Sequence, residues 1–156
     1  MAKRIRPIAL GLIEYADHVF VSRGQDPQTK ALYCRFLGGG IEFGETSQNA
    51  LMREFKEEIQ AKLTDIEYIT CLDNIFTFNG KPKHELIQLF RVRFVDDSFY
   101  QLDQAFPLVE GDGAASPAEN RTTQAVWLPI QQVLTGEARL VPESCLKFLS
   151  SALLSS

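Results

Sequence analysis

The sequence predicts an α/β fold, and three observations carry the prediction. Two apolar, β-branched runs joined by a short polar turn open the chain. One amphipathic helix follows a run of three glycines. Two further apolar runs then flank an Asn-Gly pair. The 156 residues suit one compact domain, residues 1–156, with no repeat, low-complexity tract or linker to divide it.

Residues 5–14 and 18–23 read as strands around a tight turn at Ala16-Asp17. A polar loop with Pro27 leads to a third strand at 32–37, which runs into Gly38-Gly39-Gly40. The helix comes next. Thr46 or Ser47 can cap it, because a side-chain oxygen there accepts from the free N–H groups of the first turn. Leu51, Met52, Phe55 and Ile59 form its apolar face. Residues 66–78 and 85–95 read as strands around a turn at Asn79-Gly80. Residues 96–124 form a long irregular segment, and 125–128 a last short strand. Helical signals follow at 130–135 and after Pro142, a residue suited to a first helical position.

Bulk composition narrows the function. A net charge of −4 excludes a surface that attracts the nucleic-acid backbone as a whole, which requires Lys and Arg to neutralise phosphates. A small anionic substrate would then need a locally positive site, and a bound cation can supply it. The three cysteines are scattered and odd in number. They suggest a reducing, cytoplasmic compartment rather than a disulfide framework. The apolar run after the basic residues Lys3, Arg4 and Arg6 stops at Glu14, so neither a signal peptide nor a membrane span is expected.

The chemistry concentrates between Gly38 and Glu58. Glu54 and Glu58 stand four apart on one helix face, with Glu57 beside them. Like charges packed together are unfavourable unless a cation balances them, and a hard divalent ion takes carboxylate oxygens and substrate phosphates together. A solvated acidic face is the ordinary reading of such a helix taken alone. The glycine run beside it, Gly39 and Gly40 included, offers positions where backbone turns sharply or approaches a ligand closely.

Together these residues resemble the Nudix box, G-x5-E-x7-R-E-U-x-E-E-x-G-U, where U is a bulky aliphatic. Gly39, Glu45, Arg53, Glu54, Glu57 and Glu58 match, and Phe55 fills the first U with an aromatic of similar bulk. The box spans residues 39–61. Gln60 and Ala61 depart from its final Gly-U, which implies that the helix ends differently or runs on towards Lys62.

The resemblance implies an α/β/α sandwich with a mixed sheet. It implies a metal-dependent hydrolase that cuts a diphosphate bond in a nucleoside diphosphate linked to another moiety, with a non-catalytic nucleotide sensor as the alternative. Mg²⁺ is the implied cofactor, with Mn²⁺ as a substitute. Glu54, Glu57 and Glu58 become metal ligands, with the Gly38 carbonyl as a further ligand. Glu54 or a neighbouring acid becomes the general base. Arg53 and Glu45 become an ion pair that holds the helix to its loop. Family members often complete the site with an acid outside the box; Glu119 is the favoured candidate, with Glu85 and Asp112 as alternatives. Glu85 begins a strand, and the alternation of the sheet is expected to direct it away from the metals. The partner is a small nucleotide-like diphosphate, without extended nucleic acid or membrane, and a homodimer is compatible with the family.

Other residues have weaker claims. Arg6 and Arg35 flank strands leading to the box and are candidates for substrate contact. Lys81, Lys83 and His84 read as a solvated hairpin end, Trp127 as core, and Cys34 and Cys71 as buried spectators. Phe76 and Phe78 are candidates for a base pocket, with half of the pair expected to face the core. No residue marks a particular substrate.

Overall fold

The computed structural model describes residues 3–109 and 124–150. The opening hairpin forms as expected, with Ala16 and Asp17 both at positive φ. The predicted strand at 5–14 divides, however, into β1 (Ile5–Leu12) and β2 (Glu14–Tyr15), followed by β3 (His18–Gln25). The run at 32–37 divides likewise into β4 (Leu32–Arg35) and β5 (Leu37–Gly40). The reason is shared. The two halves of each run pair in different sheets, so the chain bends between them. The glycines are therefore strand residues, not a turn.

After α1 (Ser47–Ile59) come β6 (Leu63–Phe78) and β7 (Lys81–Phe94), which form a hairpin longer than the sequence predicts. Its turn is Asn79-Gly80, both at positive φ. The segment predicted as irregular contains a short 3-10 turn (Asp97–Phe99) and β8 (Ala105–Pro107). β9 (Gln124–Pro129), α2 (Ile130–Leu134) and a 3-10 helix (Glu143–Phe148) complete the described chain. Among the described residues, no helix is long and apolar enough to cross a membrane.

One sheet has the order β5-β1-β7-β6. The β1–β7 pair is parallel and its neighbours antiparallel, so the sheet is mixed. The second has the order β2-β3-β9-β8, with β4 also on β3. Side chains alternate across the strands and feed two cores. On one face Ala9, Phe20, Phe90 and Trp127 meet Leu51, Phe55 and Ile59 of α1. On the other, Ile8, Leu10, Val19, Val21, Ile87 and Leu89 meet Ile130, Val133 and Cys145 from the C-terminal helices. Helical elements thus cover both faces, which is the α/β/α layering.

The stripe of α1 differs at one position. Met52 is 41% exposed, and Ala50 joins Leu51, Phe55 and Ile59 in the core. Each helical residue advances ~100°, so Met52 turns off the stripe that Leu51 occupies. The helix does not run on to Lys62. Gln60 takes the left-handed conformation itself (φ 58°, ψ 36°), and its N–H donates to the Lys56 carbonyl at 3.0 Å, the stop that the missing glycine would have made.

Candidate active site

The site is built outward from β5. Beyond Gly40, the chain loops through Glu42 and Gly44 to Thr46, whose Oγ1 accepts from the Asn49 N–H at 3.1 Å and starts α1. Glu45 closes the loop by accepting the Glu42 N–H at 2.9 Å. Arg53, two turns into the helix, reaches back. It donates through Nη2 and Nε to both oxygens of Glu45, at 2.7 and 3.1 Å, and through Nη2 to the Gly40 carbonyl at 2.9 Å. One fork therefore joins strand, loop and helix. The hydrogen bonds from Arg53, then the one from the Glu42 N–H, hold the Glu45 carboxyl down to about 2.

Three acids line the same part of the helix in different settings. Glu54 takes Arg53 Nη1 at 2.9 Å, and Glu57 takes the same nitrogen at 3.3 Å. Glu54 lies directly beneath Gly39, where an added Cβ would collide with its carboxylate; this is why the strand needs glycine there. Burial raises the Glu54 carboxyl, against the pull of Arg53. Glu58 is more deeply buried, and its Oε1 has no hydrogen-bond partner among the described residues. Burial first, then the charges of Glu54 and Glu57, push its carboxyl up to about 8. Among the described residues, no three acid, His or Cys side chains converge into a ready ligand cluster: Glu54 and Glu57 lean on Arg53 while Glu58 stands apart.

A pocket opens beside Glu58, lined also by Arg6, Tyr33, Arg35, Gly38 and Glu85. Arg6 lies against Gly40, whose added Cβ would sit 3.0 Å from its Nη2. Arg35 Nη2 meets Glu85 Oε1 at 3.3 Å. The structure thus brings Arg6, Arg35, Gly38 and Glu58 to one pocket, while Gly39 lies over Glu54 and Gly40 against Arg6. Glu119 and Asp112 lie outside the described residues. Glu85 does not point away from the site, as expected from its place in the strand; it lines the pocket. It had a sequence signal: Glu85, Ile87 and Leu89 alternate on one face of β7, and a charge on a core-facing alternation is out of place unless it serves a site.

Other expectations resolve simply. Trp127 is core, its Nε1 donating to the Phe99 carbonyl at 2.8 Å. Phe76 and Phe78 do not divide between core and solvent. Two residues apart on a strand, they share a face and are both half-buried, with Phe78 edge-on to Tyr33. Cys34 is buried, but Cys71 is exposed because it falls on the other face of β6 from Leu72.

Comparison with known proteins bears on the fold and the family. A search of curated proteins finds no relative. Among solved structures, the chain is similar to a NUDIX hydrolase from Nitrosomonas europaea, at 16% identity and a TM-score of 0.61 over 97% of this chain and 90% of that one. It is also similar to the mutator MutT protein from Bacillus halodurans (15%, 0.60, 97% and 84%) and to the E. coli ORF135 protein (18%, 0.59, 98% and 93%). At such identities, the likeness speaks for the fold. The profile of the NUDIX domain matches residues 5–147, a span that takes in both sheets, the box and the pocket, and on that match the chain belongs to the Nudix family.

Proposed function

We propose that the chain, as one domain, is a hydrolase that cleaves a diphosphate bond in a nucleotide-like substrate with the help of Mg²⁺, for which Mn²⁺ substitutes. The observation that carries this reading is Glu58, an acid whose buried Oε1 has no donor among the described residues and stands beside two more carboxylates. Such a group is costly unless a proton or a cation balances it. The oxygen-only donor set and the glycine backbone above Glu54 fit a hard divalent ion.

Glu54, Glu57 and Glu58, with the Gly38 carbonyl, would hold the ion. When bound, it would polarise a phosphoryl oxygen and offset the negative charge that builds there. The rest falls to the chain. Glu58, whose carboxyl burial pushes up, would be held charged by the ion. Glu54 or a neighbouring acid takes the proton of the attacking water. Arg6 and Arg35 draw the phosphates to the pocket mouth, and Arg53 with Glu45 keeps the helix acids in register with the glycines. Glu119 is retained as a further acid from outside the box. The reading carries a cytoplasmic setting and a small-molecule partner; a homodimer is compatible with it.

The test is phosphate release from a panel of nucleoside diphosphate derivatives, coupled to a phosphatase, with and without divalent metal. Turnover should disappear in excess chelator and return with Mg²⁺. Undiminished hydrolysis in chelator would remove the metal mechanism, and binding without hydrolysis of any substrate would make the domain a sensor.

A further inference from the structure

Glu85 is 6% exposed, at the edge of an apolar face, yet lines the pocket. Its Oε1 is committed, taking Arg35 Nη2 at 3.3 Å and Asn74 Nδ2 at 3.2 Å. Its Oε2 accepts no hydrogen bond among the described residues. Asn74 lies directly across the β6–β7 ladder from Glu85, and Arg6 lies directly across the β1–β7 ladder. Arg35 of β4 and Asn74 of β6 thus anchor the carboxylate through one oxygen, leaving the other to the pocket.

Charge divides the pocket. A second anion beside Oε2 would be repelled, so phosphate drawn in by Arg6 and Arg35 favours the side of Glu58, where a cation held by the helix acids would offset its charge. The Glu85 end suits a neutral group that donates a hydrogen bond, and Tyr33, itself edge-on to Phe78, offers a ring as a wall. We infer that Glu85 is a specificity-determining residue, whose Oε2 receives an N–H or O–H donor from the uncharged half of the substrate while Asn74 and Arg35 hold it in place. This rests on the nucleotide reading above and deepens it: the preferred substrate must carry such a donor, on its base or its sugar. A buried acceptor built for a donor rejects analogues that lack it, because it is then left unpaired.

The experiment uses nucleoside monophosphates, which hold no diphosphate bond to cut, so binding is read apart from catalysis. Equilibrium affinities are measured for pairs differing by one donor group: GMP against IMP and CMP against zebularine monophosphate, its analogue without the exocyclic amino group, for a base amino group, and AMP against dAMP for a sugar hydroxyl. Wild type should prefer the donor-bearing member of at least one pair by about 10-fold or more. Glu85→Gln keeps the volume and an acceptor for Arg35 but puts an amide donor in the pocket. It should shrink that preference to below about 3-fold while affinity for inorganic pyrophosphate stays within about 2-fold. The pair that responds identifies base or sugar as the source. No preference in any wild-type pair overturns the inference even if the variant does not fold. A preference that survives Glu85→Gln also overturns it, as does a variant that changes only the Mg²⁺ activation of turnover. Discrimination in binding without hydrolysis of any diphosphate would leave Glu85 its role and remove the catalytic reading.

Discussion

Two arginine–carboxylate pairs differ in what they connect, one joining α1 to its loop and one joining β4 to β7. Arg53 and Glu45 lie eight residues apart and meet through two contacts, at 2.7 and 3.1 Å. Arg35 and Glu85 lie fifty apart and meet through one contact, at 3.3 Å, with the acid side chain 8% exposed. Both oxygens of Glu45 are consumed, by Arg53 and by the Glu42 N–H. Glu85 keeps one without a donor among the described residues. The difference separates two uses of the same chemistry: a saturated pair braces the helix, whereas an unsaturated pair has capacity left for a ligand.

The sharpest way to break the comparison is to act on the acids that the helix wall supports. Glu58→Gln and Glu54→Gln should each lower kcat by about 100-fold or more, about 2.7 kcal/mol of transition-state stabilisation, with circular dichroism unchanged. Near-native turnover in both would move the chemistry away from α1.

Removal of the brace should produce a different signature. Arg53→Ala frees Glu45, Glu54 and Glu57 from their shared donor, so both turnover and Tm should fall, the latter by about 5 °C. Arg53→Lys should recover little of either, because an ammonium lacks the planar fork. An unchanged Tm in Arg53→Ala would make the pair a catalytic device alone.

The acids on this wall also differ in their response to pH. Glu58 rises from 4.5 in the unfolded chain to about 8 when folded, so between those values the native state holds the extra proton. Its contribution to stability is full below about 4.5 and is lost as pH rises through about 8. Glu45, held at about 2, runs the other way: its contribution is full above 4.5 and is lost as pH falls towards 2. Melting curves in chelator should show Glu58→Gln flattening the alkaline decline and Glu45→Gln flattening the acid one. Parallel profiles for wild type and Glu58→Gln would argue that Glu58 is charged when the cation is removed.

The smallest expected effect lies at the end of α1. Gln60→Gly relieves a side chain held at φ 58° and should raise Tm by about 2 °C without altering turnover. A fall in Tm would mean that the Gln60 side chain contributes something beyond the helix stop.

The box residues are legible because their spacing is local. Steps of three and four along one helix set the three acids on one side, whereas the match of Arg53 to Glu45 across a loop comes from the resemblance to the box. The turns at Ala16-Asp17 and Asn79-Gly80 and the apolar stripe of α1 are legible for the same reason, apart from Met52. Where Gln60 replaces glycine, the sequence suggests a different ending, but backbone geometry prevails over residue preference: the packing of Phe55 and Ile59 below and Ala61 beyond stops the helix at the same point.

The sequence by itself determined the α/β class, the family and the helix that carries the acids, since these depend on periodicity and short-range spacing. Only the tertiary structure decided that the runs at 5–14 and 32–37 each serve two sheets, that the glycines lie in a strand over Glu54, and that Glu85 meets Arg35 and Asn74 in the pocket. Those outcomes depend on which strands pair. A strand presents the same backbone donors and acceptors to any neighbour, so its own residues do not name the neighbour. The parallel β1–β7 pairing, which sets Arg6 across from Glu85, joins residues 79 positions apart and is settled by burying both faces of the sheet at once.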